Sequence, residues 1–160
     1  MTNDQNNLTV QIHCRDDELA VDFDKFRELT YQICAQFAVG RATISIAIVD
    51  DDAISKVNSE FLDRDTRTDV ISFDLSDEGS EHRIFELVVN ADEAARESAK
   101  RKHSIEAELA LYITHGMLHN LGLDDEDSAR ADEMHAAEDK ILQKAGFGIV
   151  YNSLGVKSDD

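Results

Sequence analysis

Apolar and polar residues alternate at Leu8, Val10, Ile12 and Cys14, the two-residue period of a strand with one buried face. Phe26, Leu29, Ile33 and Phe37 then recur three or four apart, which predicts a helix with Asp22 and Asp24 as candidate caps and Gly40 as its stop. Alternation returns at Ile44, Ile46 and Ile48, followed by a helical stretch from Asp52 to Leu62. Val70 to Leu75 and Ile84 to Asn90 read as a third and a fourth strand, joined by a loop from Ser76 to Arg83. Asn90 can cap a helix reaching about Lys102. The next helix begins near Ser104, carries Ile105, Leu109, Tyr112, Ile113 and Met117, and ends where Gly122 can take the left-handed conformation. A last helix spans Ser128 to Ala145 and stops at Gly146.

The order βαβαββααα predicts an α/β (α+β) fold, a small mixed four-stranded sheet with helices packed on it. The 160 residues fit a single domain, 1–160, with polar tails at about 1–7 and 156–160. Apolar runs stay well short of the eighteen or so residues of a membrane span. Met1 to Asn7 lacks the cationic and apolar regions of a secretory signal. Cys14 and Cys34 have no ligand-like spacing and read as small buried hydrophobes in a reducing compartment, so the cytoplasm is the default location. The net charge of −18 changes the picture more, because it repels polyanions at long range. An enzyme acting on nucleic acid would need a local cationic patch against that field.

The stretch that carries chemistry is Thr114-His115-Gly116-Met117-Leu118-His119-Asn120-Leu121-Gly122-Leu123-Asp124-Asp125. His115 and His119, four apart on one helix, leave the same face one turn apart, as in a zincin-like metal-site helix. Gly122 reverses the chain, and Asp125 can return to the same point. Two imidazoles and a carboxylate with an open fourth position form the donor set of a catalytic zinc site. The bland alternatives are two helical histidines in chance register and a solvated acidic loop, since Asp124, Glu126 and Asp127 crowd beside Asp125. Metalloproteases with the His-Glu-x-x-His pattern carry their general base after the first histidine; here that place is Gly116, so peptide hydrolysis by that route lacks its base.

Thr68-Asp69-Val70-Ile71-Ser72-Phe73, followed by His115-Gly116-x-Leu118-His119-x-x-Gly122-x-Asp124, resembles the YbeY family of bacterial endoribonucleases. Asn58, Met134 and Glu138 add to the likeness, which spans roughly residues 40 to 145. The resemblance implies a mixed sheet with helices and a zinc-dependent, single-strand-specific endoribonuclease. It also implies a role in 16S rRNA 3′-end maturation and ribosome quality control, with RNA and ribosomal subunits as partners and no DNA. Asp125 stands where the family has its third zinc histidine, Leu62 where it has an arginine, and Arg67 where it has a proline. Phe85-Glu86 replaces a Gly-Asp pair. Arg64 and Arg67 are therefore the candidate catalytic phosphate contacts, although surface solubility explains them equally well.

Lys100, Arg101, Lys102 and His103 form the densest basic cluster; they sit at a helix C-terminus, where the dipole favours cations, and RNA contact is the competing reading. His13, His82 and His135 are isolated and read as surface residues. The leading functional reading is a metal-dependent endoribonuclease. Its rivals are a metallohydrolase of another substrate class and a non-catalytic ribosome-associated module with a weakened site.

Overall fold

The computed structural model describes residues 7–16, 18–62, 68–124 and 126–148. The elements follow the anticipated order: β1 (Leu8–Cys14), α1 (Phe23–Gln36), β2 (Ala42–Val49), α2 (Asp51–Leu62), β3 (Val70–Asp74), β4 (Arg83–Asn90), α3 (Ala91–Arg101), α4 (Ile105–Asn120) and α5 (Ser128–Lys144). The strands form one sheet in the order β1-β2-β4-β3, in which β1, β2 and β4 are parallel and β3 runs antiparallel to β4. The sheet is thus mixed and four-stranded.

Ile44, Ile46 and Ile48 on β2 share a face with Phe85, Leu87 and Val89 on β4, and all six are buried. Their alternation with less buried neighbours is what the period of two requires of a sheet covered on that face. The cover is α4, packed against β3, β4, α1, α3 and α5. Because α4 is surrounded, it is apolar nearly all the way round, from Ala107 to Leu118. A polar side chain kept on such a helix needs a specific partner.

Both ends of α4 are tied down. The Ser104 hydroxyl accepts from the Ala107 amide at 3.0 Å as an N-cap. At the C-terminus Gly122 takes φ +99, and its amide donates to the His119 carbonyl at 3.1 Å while the Leu123 amide donates to that of Leu118 at 3.0 Å. This pair of bonds is a complete Schellman motif, and it holds the turn that carries His119.

The stop of α1 differs from expectation. The chain reverses at Ala38, with φ 59, rather than at Gly40, and the Val39 amide closes onto the Cys34 carbonyl at 2.8 Å. Reversing there lets Val39 enter the core, where it is buried. That burial offsets the roughly 1–2 kcal/mol that a non-glycine residue spends in the left-handed region. The third strand also ends one residue early, at Asp74, leaving Leu75 exposed.

At the end of β4, Asn90 joins three elements. Its Oδ1 caps α3 by accepting from the Asp92 and Glu93 amides, and its Nδ2 donates to Asp51 Oδ1 at 2.8 Å and to the Thr68 carbonyl at 3.0 Å. Together with the Asn90 amide bond to the Asp69 carbonyl at 2.9 Å, this sets where the Thr68 motif enters the sheet. No helix among the described residues is long and apolar enough to cross a membrane.

Candidate functional site

His115 and His119 leave α4 on its one incompletely covered side, toward α5. Their rings meet edge to face with centroids 4.6 Å apart, and their Nε2 atoms are 3.1 Å apart. Behind His115, its Nδ1 lies 2.5 Å from Oε2 of Glu138 on α5. Glu138 is 1% exposed, and its other oxygen, Oε1, lies 3.0 Å from Nδ1 of His135. A carboxylate can only accept, so both Nδ1 atoms carry the protons. The lone pair of a neutral His115 is then on Nε2, the atom facing His119. Burial alone would raise the Glu138 carboxyl, but hydrogen bonds from His115 and His135, then their charge, hold it below the usual carboxylate value.

This arrangement suits a metal ion. Two nitrogens bound to one tetrahedral zinc at ordinary distances stand roughly 3.3 Å apart, and an imidazole ligand ordinarily donates its other nitrogen's proton to a carboxylate or carbonyl. The separation and the Glu138 contact meet both conditions. Among the described residues, however, no group of three or more His, Cys, Asp or Glu side chains is gathered closely enough to hold a metal. The expected third ligand, Asp125, lies outside the described residues, as do Arg64 and Arg67. Asp124 is described and engaged elsewhere, its Oδ2 3.3 Å from Arg130.

Gly116 has a packing reason to be glycine. A Cβ there would stand 2.9 Å from Leu87 Cδ2 and 3.1 Å from Val70 Cγ2, where α4 crosses β3 and β4. The position that holds the general base in His-Glu-x-x-His helices therefore faces the core in this chain and has no room for one. The following turn is held to the edge strand by Asn120, whose Nδ2 donates to the Phe73 carbonyl at 3.2 Å.

One expectation changes. His135, read as an isolated surface residue, belongs to the site through Glu138. Its signal was legible: His135 and Glu138 stand three apart on one helix, a spacing at which side chains meet. The basic cluster resolves toward the helix-end reading. Lys100 and Arg101 pair with Glu97 at 3.2 and 3.6 Å, and Arg101 and His103 converge on the buried Glu108 at 3.5 and 2.5 Å. Thr68 does backbone work: its hydroxyl donates to Asp69 Oδ1 at 3.3 Å and its carbonyl accepts from Asn90. His82 meets Thr43 Oγ1 at 3.0 Å, away from the histidine pair.

A family model described as Endoribonuclease YbeY matches residues 11–146. The chain is 32% identical over 133 residues to the Endoribonuclease YbeY of Moorella thermoacetica, a match covering 77% of this chain and 84% of that one. To the Endoribonuclease YbeY of Carboxydothermus hydrogenoformans it is 36% identical over 109 residues, covering 68% and 76%. A Thermotoga maritima protein whose structure was determined in solution superposes with a TM-score of 0.59 at 21% identity, covering 86% of this chain and 89% of the other, which bears on the fold alone.

Proposed function

The chain belongs to the endoribonuclease YbeY family, and on that premise we propose that it is a zinc-dependent, single-strand-specific endoribonuclease. In this reading it works in the cytoplasm with ribosomal subunits, maturing the 3′ end of 16S rRNA and serving ribosome quality control. The endoribonuclease description of its relatives supports the reaction class. The observation that carries the metal part is the pair of Nε2 atoms 3.1 Å apart, one of them backed by a buried carboxylate.

His115 and His119 would hold the ion with Asp125 as third ligand; the engagement of Asp124 with Arg130 supports Asp125 over its neighbour. When bound, zinc supplies a Lewis acid at the scissile phosphate. Glu138 fixes the tautomer and ring plane of His115. Arg64 and Arg67 neutralise charge that develops on the phosphate, a task suited to planar guanidinium groups. The net charge of −18 opposes a polyanion, so RNA binding is weak and falls steeply with salt.

The test is cleavage of a single-stranded RNA by the purified protein at low and moderate salt. Activity should disappear on chelation and return with zinc. Neutralising Arg64 and Arg67 together should reduce it more than neutralising Lys100 and Arg101, whose charges are already paired with Glu97 and Glu108. Asp125→Asn should lower zinc content while Asp124→Asn leaves it; the reverse result would move the third ligand by one residue. A zinc-loaded protein that cuts no RNA at any salt yet still joins ribosomal subunits would favour the non-catalytic module.

A further inference from the structure

The carboxylate of Glu138 lies in the interface of α4 and α5, 1% exposed, between two imidazoles. An apolar side chain would fill that place more cheaply if packing were its only task, since a buried carboxylate must have its lone pairs met by donors. Here the donors are Nδ1 of His115 and Nδ1 of His135. One hydrogen bond would leave the carboxylate broadly free about its last torsion, which is soft and roughly two-fold in glutamate. A second, at the other oxygen, removes that freedom. His135 supplies it from three residues earlier on the same helix, so its position relative to Glu138 is set by α5 itself.

We propose that His135 and Glu138 are a positioning pair: His135 pins the Glu138 carboxylate, which in turn holds the proton of His115 on Nδ1 and turns its Nε2 lone pair toward the metal point shared with His119. The chain of contacts is continuous, His135 to Glu138 at 3.0 Å, Glu138 to His115 at 2.5 Å, and His115 to His119 at 3.1 Å. His135 thereby acts on the ion through Glu138 and His115. The proposal rests on the zinc reading given above, and it extends that reading to a residue first read as an isolated surface histidine.

Two variants separate orientation from packing. His135→Leu keeps bulk and removes the donor, whereas His135→Asn keeps a side-chain N–H that can reach Glu138 Oε1. Zinc affinity is read by competition with a chromogenic chelator, and the tautomer of His115 by the nitrogen chemical shifts of its ring in the metal-free protein at fixed pH. Glu138→Gln, which removes the direct partner, should weaken zinc by about 10–100-fold. His135→Leu should weaken it by less, roughly three- to tenfold, and shift His115 from one tautomer to a mixture. His135→Asn should restore both readings, and His82→Ala should leave both unchanged. Wild-type zinc affinity and an unchanged His115 tautomer in folded His135→Leu overturn the proposal while the zinc reading stands. A wild type that takes up no zinc overturns that reading instead, and the proposal with it.

Discussion

Two places in this molecule set a histidine against a buried glutamate at 2.5 Å. At one, His103 meets Glu108 where α3 turns into α4; at the other, His115 meets Glu138 between α4 and α5. The glutamates are 0% and 1% exposed. The difference lies in what surrounds each pair. Arg101 also reaches Glu108, at 3.5 Å, so that carboxylate is answered by a permanent cation, and the Nδ1 of His103 is buried without a hydrogen-bond partner among the described residues. The cluster is closed and serves to fasten two helices. Glu138 is answered by imidazoles, and the far nitrogen of His115 faces a second imidazole on a partly open surface. The same pair of side chains fastens two helices in one place and, in the zinc reading, supports a ligand in the other. What decides is where the second ring nitrogen points.

The largest effect that tests this contrast is loss of the metal. Replacing His115 and His119 together by alanine should reduce zinc retained after dialysis from one ion per chain to near none and RNA cleavage to background. His103→Ala should leave both intact. Full zinc occupancy in the double variant would break the comparison at its functional end.

Next in size is stability at the closed cluster. Glu108→Ala leaves Arg101 and His103 without their shared carboxylate and should cost about 2–4 kcal/mol in urea denaturation at neutral pH, since breaking a buried pair is costly and Arg101 keeps some exposure. Zinc uptake by the folded fraction should not change. A loss below about 1 kcal/mol would mean that Glu108 fastens nothing.

A smaller effect is expected where α4 meets the sheet beneath the histidines. Gly116→Ala brings a Cβ against Leu87 and Val70, an overpacking that costs about 1–3 kcal/mol. Up to roughly 1 kcal/mol returns from the better helix propensity of alanine. The net should be a destabilisation of about 1–2 kcal/mol with a measurable fall in zinc affinity, because α4 must lift from β4. A variant as stable as the parent would show that Leu87 and Val70 give way freely.

The smallest test sharpens the contrast between sealed and accessible reactive groups. Cys34 is fully buried, and burial pushes its thiol up to about 11, so it stays protonated at pH 8. Cys14 is only partly buried. A thiol reagent at pH 8 should therefore label one cysteine in the native protein and two after denaturation. Rapid labelling of both in the native state would place α1 less firmly on the core than its buried residues imply.

Much of this was present in the amino-acid order. The periods of two and near four located every element within a residue or two, because burial on one face imposes them regardless of the rest of the fold. His115, His119 and the Gly122 reversal were legible for the same reason, since a helix and its end are local structures. What sequence could not supply was the pairing of distant groups. Glu138 and His135 lie about twenty residues beyond His115, and only the packing of α5 on α4 turns them into its support. The reversal at Ala38 in place of Gly40 was likewise decided by the core's hold on Val39, a tertiary contact that outweighs a local preference. The pairing of Lys100, Arg101 and His103 with Glu97 and Glu108 likewise depended on which acids the fold brought beside them. Local period and spacing are properties of a short stretch of chain, whereas the meaning of a charge or an imidazole depends on what stands a few ångströms away across the fold.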